Sequence, residues 1–485
     1  MIYNKKTVSE YIRSPLVLFA LLIVLAITAY FFSKISIPLI LLLISIPLIV
    51  VYFFYIVQNP SLGLITIVIF SFIIPGISRY LPGENKLGLI IDALLVLTYI
   101  ACLFNGKIFK NKHHLIKIDL LLLSVFWMLY NILQLFNPYT AYAGAWFAVV
   151  RPIALYLLLA LPLASMLIVN NRTFNIILII WGIFSILGTI KAALQIYIGL
   201  DQYEQIWFNE VGYLTHFVNN HLRAFSFYTD AGQFGAAQGH AAVIGFIMMT
   251  AVKNKRLKFF YALMGLSGLY GMILSGTRGA VFVPYIAALA YVILRKNIRM
   301  ALLALFLSAM AFGFLKFTYI GNQNYFIYRM RTAFDPNDAS LQVRIENQRL
   351  FKQYLRDKPF GGGVGMAGYW GQHYGVDSPL ARIATDSWYV QIWAEEGIIG
   401  LILYLSILIY ILAKGSYIIM FRLKNEENIT KMIALMAGLA GVAVASYGNN
   451  VIGQIPTSFL TYFSIAFIFG AQELENELNQ KQLTS

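Results

Sequence analysis

Apolar runs of about 18 to 22 residues recur along the chain from Pro15 to Phe469, each long enough to cross roughly 30 Å of hydrocarbon as a helix. They lack the every-other-residue alternation of barrel strands, so the pattern predicts an all-α, polytopic transmembrane helical bundle. About fourteen spans are expected, centred near residues 23, 46, 70, 95, 127, 158, 185, 242, 267, 287, 308, 404, 440 and 462; the count falls to twelve if one of the first two pairs is re-entrant. Two polar stretches interrupt the hydrocarbon. One lies within 199–233, inside a bundle running over 1–318. The other is a long loop, 319–396, followed by C-terminal spans over 397–472 and a polar tail, 473–485.

Inside the long loop, Asp338 is placed to cap a helix from about Ser340 to Arg356. Leu341, Ile345, Phe351 and Leu355 share one face and the arginines the other, which fits a helix lying along the membrane surface. Pro359 ends it. The glycines that follow, Gly361, Gly363 and Gly365 among them, permit a tight turn beside something bulky or charged, and the turn's amides could hold a phosphate or sugar oxygen.

Composition supports the membrane reading. The 485 residues are 59% hydrophobic and 12% charged, about half the charge of a soluble domain. The formal net charge of +15 suggests nucleic acid until its positions are read. Lys107, Lys110, Lys112 and Lys117 fall between two spans, Lys253, Lys255, Arg256 and Lys258 between two others, and Arg295, Lys296 and Arg299 between two more. That is the signature of cytoplasmic loops, so no nucleic-acid partner is expected. With both termini cytoplasmic and Lys5, Lys6 and Arg13 ahead of a retained anchor, 201–233, the turn Ser275-Gly-Thr-Arg-Gly279 and 319–396 all face outward. The single cysteine, Cys102, allows no intramolecular disulfide.

That orientation makes Arg223 and Arg278 exceptions to the rule that short outer segments are poor in cations. Each reads either as a snorkelling anchor at a helix end or as a fixed cation facing a cavity, where a guanidinium could grip a diphosphate bidentately. Asp386, ahead of the span near 404, reads as a helix cap or as a general base for a sugar hydroxyl. Glu395 and Glu396 carry the same ambiguity. Gly363 to Gly368 spells GxGxxG, but a dinucleotide site needs a strand before it and a helix after it in a parallel sheet, and an outer loop offers neither. His216 and His221 are five residues apart, off the same-face spacing of a helix, and no metal site is expected.

Three stretches, in order, resemble the O-antigen ligase and polysaccharide polymerase superfamily of bacterial membrane glycosyltransferases. They are Arg223-Ala-Phe-Ser-Phe227, Ser275-Gly-Thr-Arg-Gly-Ala280, and the outer loop with Pro359-Phe-Gly-Gly-Gly-Val-Gly365 leading to Asp386-Ser387 and Gly397-Ile-Ile-Gly400. The resemblance covers roughly residues 200 to 410. It implies a polyprenyl-diphosphate-linked oligosaccharide donor, no metal or other cofactor, and inverting transfer at the outer face of the bacterial cytoplasmic membrane. The acceptor it implies is a lipid A core sugar for ligases or the next lipid-linked repeat unit for polymerases. By the same likeness Arg223 and Arg278 hold the diphosphate, with Arg344 as a candidate third cation. The family's ligases carry a histidine before the residue matching Ser387; here Asp386 stands in its place. Either base can deprotonate a hydroxyl, and the change points away from strict lipid A core ligation. A transporter or flippase for the same lipid is the rival reading, but it calls for charges at mid-membrane depth, and here they crowd at one face.

Overall fold

The computed structural model describes residues 37–81, 87–105, 116–167, 171–218, 220–296, 298–335, 337–375 and 377–476. The expected span near residue 23, its basic flank at Lys5, Lys6 and Arg13, and the loop cations Lys107, Lys110 and Lys112 lie outside the described residues. So does the tail beyond residue 476.

The first described helix, α1 (Ile37–Gln58), is apolar along its length and belongs to a unit ending at Asn59. The second unit begins at Pro60. Its helices are α2 (Ser61–Ile77), α3 (Gly88–Phe104), α4 (Ile118–Leu133), α5 (Ala143–Leu167), α6 (Asn171–Tyr197), α7 (Ala231–Ala251), α8 (Lys255–Leu274), α9 (Phe282–Arg295) and α10 (Ile298–Phe317). The long loop supplies α11 (Tyr325–Arg331), α12 (Ala339–Tyr354), α13 (Gly368–His373) and α14 (Pro379–Arg382), and the chain closes with α15 (Trp388–Tyr417), α16 (Glu426–Ala445) and α17 (Thr457–Phe469). Each expected centre from 46 to 462 falls inside one of these helices. Among the described residues nine segments are long and apolar enough to cross a membrane, and four apolar helices are shorter. The protein is an all-α polytopic membrane protein. The described strands are a two-residue hairpin, Phe217–Val218 against His221–Leu222.

Small residues bring the inner helices close. A Cβ on Gly245 of α7 would lie 2.6 Å from the Gly265 amide nitrogen of α8, and one on Gly441 of α16 would lie 2.6 Å from the Val283 carbonyl oxygen of α9. Backbone approach of this kind gives van der Waals packing where no hydrophobic gain separates helix from lipid. One buried polar pair crosses the bundle: Ser185 donates to Gln238 Oε1 at 2.7 Å, and Gln238 Nε2 returns a bond to the Ser185 carbonyl at 3.1 Å.

The two ends of the bundle differ in chemistry. At one end basic residues meet acidic ones: Arg295 with Glu426 at 2.7 Å, Lys117 with Glu473 at 2.5 Å, Lys414 with Asp119, and Lys431 with Glu427. At the other end, segment 201–230, the turn 275–279, the long loop and the turn between α16 and α17 are joined by hydrogen bonds. Ser446 accepts from the Trp388 amide at 3.1 Å, Gln454 accepts from Thr229 at 2.8 Å, and the Ile455 carbonyl accepts from Gln233 at 2.6 Å.

Candidate functional site

The turn between α8 and α9 organises the polar end. Ser275 Oγ takes the Thr277 amide at 3.1 Å, and Gly276 sits at φ +56, where a side chain would be strained. A Cβ there would also lie 3.2 Å from Arg329 and 3.5 Å from Arg223, so the glycine leaves room for two arginines to pass the turn. Arg223 donates to the Ser275 carbonyl at 3.3 Å, the Thr215 carbonyl at 2.8 Å and Thr277 Oγ1 at 2.9 Å. Arg329, from α11, donates Nε to the Gly276 carbonyl at 2.7 Å. Both side chains therefore lock segments together while bringing positive charge to the turn.

Arg278 forms an ion pair with Asp338, which also caps α12 by accepting the Leu341 amide at 3.1 Å. The cap was expected. Its second partner joins the long loop to the bundle. From α12, Arg344 enters a small cleft of about 50 Å³ lined by Leu341, Asn347, Asp386, Ser387 and Tyr447. Asp386 is exposed and accepts from Asn347 Nδ2 at 3.4 Å. It does not cap α15: that role falls to Ser387, whose hydroxyl takes the Val390 amide at 3.4 Å and donates to the Ser446 carbonyl at 3.2 Å. The Asp386 carboxylate is thus left beside Arg344 in the cleft.

Four arginines from four segments share one electrostatic neighbourhood with Asp230, Asp338 and Asp386. Burial, then the neighbouring Arg329, pushes Arg223 down to about 10. Burial lowers Arg329, with Arg278 adding to it. Burial lowers Arg344, where Asp386 opposes the shift and Arg278 reinforces it. Arg223, Arg329 and Arg344 remain charged at neutral pH, and repulsion within the cluster favours an added anion. Beneath the turn an apolar cavity of about 710 Å³ runs between α7, α8, α9 and α10, from Met330, Met272 and Val281 toward Tyr291 and Leu303. Met330 follows Arg329 in the chain and Val281 lies three residues after Arg278, so the cations stand at one end of this slot.

The glycine turn has different surroundings. Gly361, Gly363 and Gly365 all adopt positive φ, at +80, +95 and +80. α15 is broken at Gly397 (φ 73, ψ −173), and the amides of Gly362 and Gly363 donate to the Ala394 and Glu395 carbonyls, both at 2.9 Å. The Gly361 amide donates to the Lys358 carbonyl at 3.0 Å, and those of Gly365 and Ala367 reach the buried Glu395 carboxyl. Tyr130 donates to the Glu396 carbonyl at 2.6 Å. The turn repairs a helix break, with its amides bonded within the protein.

The structure therefore brings Arg223, Arg278, Arg344 and Asp386 to one end of the bundle and sets Gly361, Gly363 and Gly365 against the kink. Sequence reasoning missed two contributors. Arg329 was one basic residue among many in the loop. The turn Ser446 to Gln454 was passed over between two spans, yet it supplies Tyr447 to the cleft. Its Asn450 donates to Gln391 at 2.6 Å, and its Asn449 amide nitrogen comes within 2.6 Å of where a Gly279 Cβ would be. The signal was a Gly-Asn-Asn run at a span end. Among the described residues no three His, Cys, Asp or Glu side chains converge as a metal-ligand set.

Residues 259–405 match the family model described as O-antigen ligase. The match takes in Arg278, Arg329, Arg344 and Asp386 and leaves Arg223 and the turn at 446–454 outside it. No curated protein matches the chain.

Proposed function

On the match of residues 259–405 to the O-antigen ligase family model, we propose that the chain is a glycosyltransferase of the O-antigen ligase and polysaccharide polymerase type, moving a polyprenyl-diphosphate-linked oligosaccharide onto a glycan acceptor at the outer face of the bacterial cytoplasmic membrane. One observation carries this reading: a cluster of arginines stands at the end of an apolar slot and beside a carboxylate-bearing cleft. An anionic diphosphate with a long apolar chain satisfies both parts at once, the head on the guanidinium groups and the chain in the slot.

In the proposed reaction an acceptor hydroxyl oxygen attacks the anomeric carbon of the donor sugar from the face opposite the diphosphate. The new C–O bond forms as the bond to the diphosphate oxygen breaks, inverting the configuration, and the leaving oxygen keeps the bonding electron pair. Asp386 takes the hydroxyl proton, and its exposure in the cleft gives a substrate access to it. Arg278 and Arg344 face the charge that grows on the leaving group, while Arg223 and Arg329 hold the turn and add to the field. Release of Arg278 from Asp338 frees a fork of donors for the phosphate.

Purified protein given a polyprenyl-diphosphate oligosaccharide transfers or lengthens glycan on this reading, and Asp386→Asn binds the donor without turnover. Full activity in that variant removes Asp386 as the base. The glycan that accumulates in cells lacking the protein separates the two reaction types. Single unpolymerised repeats indicate a polymerase, and full-length unattached chains a ligase.

A further inference from the structure

A second feature of the long loop lies outside the arginine cluster. α13, Gly368-Tyr-Trp-Gly-Gln-His373, is held to the loop's apolar core by its smallest residues. A Cβ on Gly371 would lie 2.4 Å from the Met366 carbonyl oxygen and 2.9 Å from Ala381, and Ala367, Leu380 and Ala381 beneath it are buried. Tyr369 and His373 are therefore turned outward, and Trp370 is half-buried. Tyr369 is 64% exposed and stacks on His373, with centroids 5.8 Å apart and planes 16° apart. Trp370 lies near-parallel to Tyr374 at 6.3 Å and edge-on to Tyr369, with planes 75° apart; Tyr374 is half-buried against the loop's core and meets Tyr142 at 5.9 Å. Tyr142, from the connection between α4 and α5, is 55% exposed and extends the same surface.

We propose that this ring surface, built on Tyr369, Trp370 and Tyr374 and continued by Tyr142, is a carbohydrate-binding platform for the acceptor glycan. A pyranose presents an apolar C–H face and a rim of hydroxyls, and rings that end in O–H or N–H groups offer the matching face and rim. α13 carries no aliphatic side chain, and its exposed neighbours Asp377 and Arg382 form an ion pair at 2.5 Å, a polar border suited to a hydrated sugar rather than to lipid tails. The platform also leads to the cleft: α14 follows it, and Asp386 comes four residues after Arg382. A chain lying on the rings could therefore run toward the reacting hydroxyl. This rests on the glycan-transfer reading only for the identity of the ligand.

The test uses the full-length protein in lipid nanodiscs, with polysaccharide released by mild acid from the surface of the bacterium that makes it as the probe. The Tyr369→Ala, Trp370→Ala double variant binds this polysaccharide about tenfold more weakly, the loss expected from removing about 1.4 kcal/mol of ring contact. Tyr369→Phe keeps the ring and binds within about twofold. Binding of the polyprenyl diphosphate is unchanged in both, while Arg278→Ala shows the opposite pattern, so failure of the platform and failure of the donor site are read separately. Equal polysaccharide binding by the wild type and a folded double variant overturns the proposal. So does quenching by bilayer-embedded brominated lipid that disappears in Trp370→Phe, because the rings would then be anchored in the membrane.

Discussion

Two turns at the polar end of the bundle, one between α8 and α9 and one in the long loop, share glycine and hydrogen-bonding capacity, and put them to opposite use. At the turn 275–279, Gly276 lets Arg223 and Arg329 pass, and the cluster they join keeps more cations than its carboxylates balance. At 361–365, the glycines let two backbones meet, and the amides end on the carbonyls released by the break at Gly397. One region has electrostatic capacity left for a ligand; the other closes its own polar groups. Positive φ is common to both, so conformation alone does not distinguish a binding turn from a packing turn. The partners of the amides and guanidinium groups do.

If the contrast holds, substitutions at the arginine end cost turnover with the fold retained, and those at the glycine turn cost the fold itself. The largest effect is expected from Asp386→Asn. Loss of a general base lowers kcat by about 10³-fold, roughly 4 kcal/mol, with donor binding and thermal midpoint unchanged. A matching fall in donor affinity would move Asp386 from proton transfer to binding. Gly361→Ala comes next, in stability. Its Cβ would lie 2.4 Å from the Gly397 nitrogen and 2.5 Å from the Glu395 oxygen at φ +80, so left-handed strain and overpacking together cost about 3 kcal/mol. A lowered yield of monodisperse protein and an earlier thermal midpoint are the readouts. A well-folded variant with impaired catalysis alone would return this turn to the binding site.

Arg278 sharpens the comparison from the other side. Arg278→Ala removes a charged donor aimed at the leaving group and is expected to lower kcat/KM about 10²-fold, while Arg278→Lys restores charge without the bidentate fork and recovers only part of it. Arg278→Ala also releases Asp338, so a fall in thermal midpoint as large as that of Gly361→Ala would make the residue a strut. Identical kinetics in wild type and Arg278→Lys would leave its charge, and not its geometry, as what matters.

Much of the fold was legible because hydrocarbon length is a one-dimensional property. Thirteen expected centres, from 46 to 462, coincide with helices. The Asp338 cap was equally readable, since it depends on a local spacing. What could not be read was convergence between distant segments. Nothing in the spacing of Arg278 and Asp338 announces their ion pair, nor in Ser446 that its carbonyl receives the start of α15. Asp386 reads two ways from sequence for a similar reason: a cap and a base look alike until Ser387, the next residue, is seen to take the amide. From sequence, Gly361 to Gly365 read as a turn whose amides could hold a phosphate or sugar oxygen, because the break at Gly397 is itself a tertiary feature.

The smallest expected effect concerns pH and the segment that carries Arg223. His216 is buried, with Nε2 accepting the Ala231 amide at 3.1 Å and Nδ1 donating to the Gly212 carbonyl at 2.9 Å, and its own carbonyl accepts the Arg223 amide at 2.8 Å. Those partners fix the neutral tautomer. Trp207 and Phe225 crowd the ring, at 5.3 and 5.1 Å between centroids. Burial pushes its pKa down to about 4; Asp230 and the Gly212 bond oppose the shift, and Arg223 and Arg79 add to it. An unfolded histidine titrates near 6.5, so the open segment takes up a proton first as pH falls. The stabilisation is complete above about pH 6.5 and is lost progressively toward pH 4, the loss amounting to about 1.4 kcal/mol at pH 5.5. Hydrogen exchange of residues 201–231 should therefore accelerate about tenfold between pH 7.5 and 5.5, after correction for intrinsic rates, and His216→Gln should flatten that dependence. Equal protection at both pH values in the wild type would show that the segment does not open through His216, and that Arg223 is held by the turn alone.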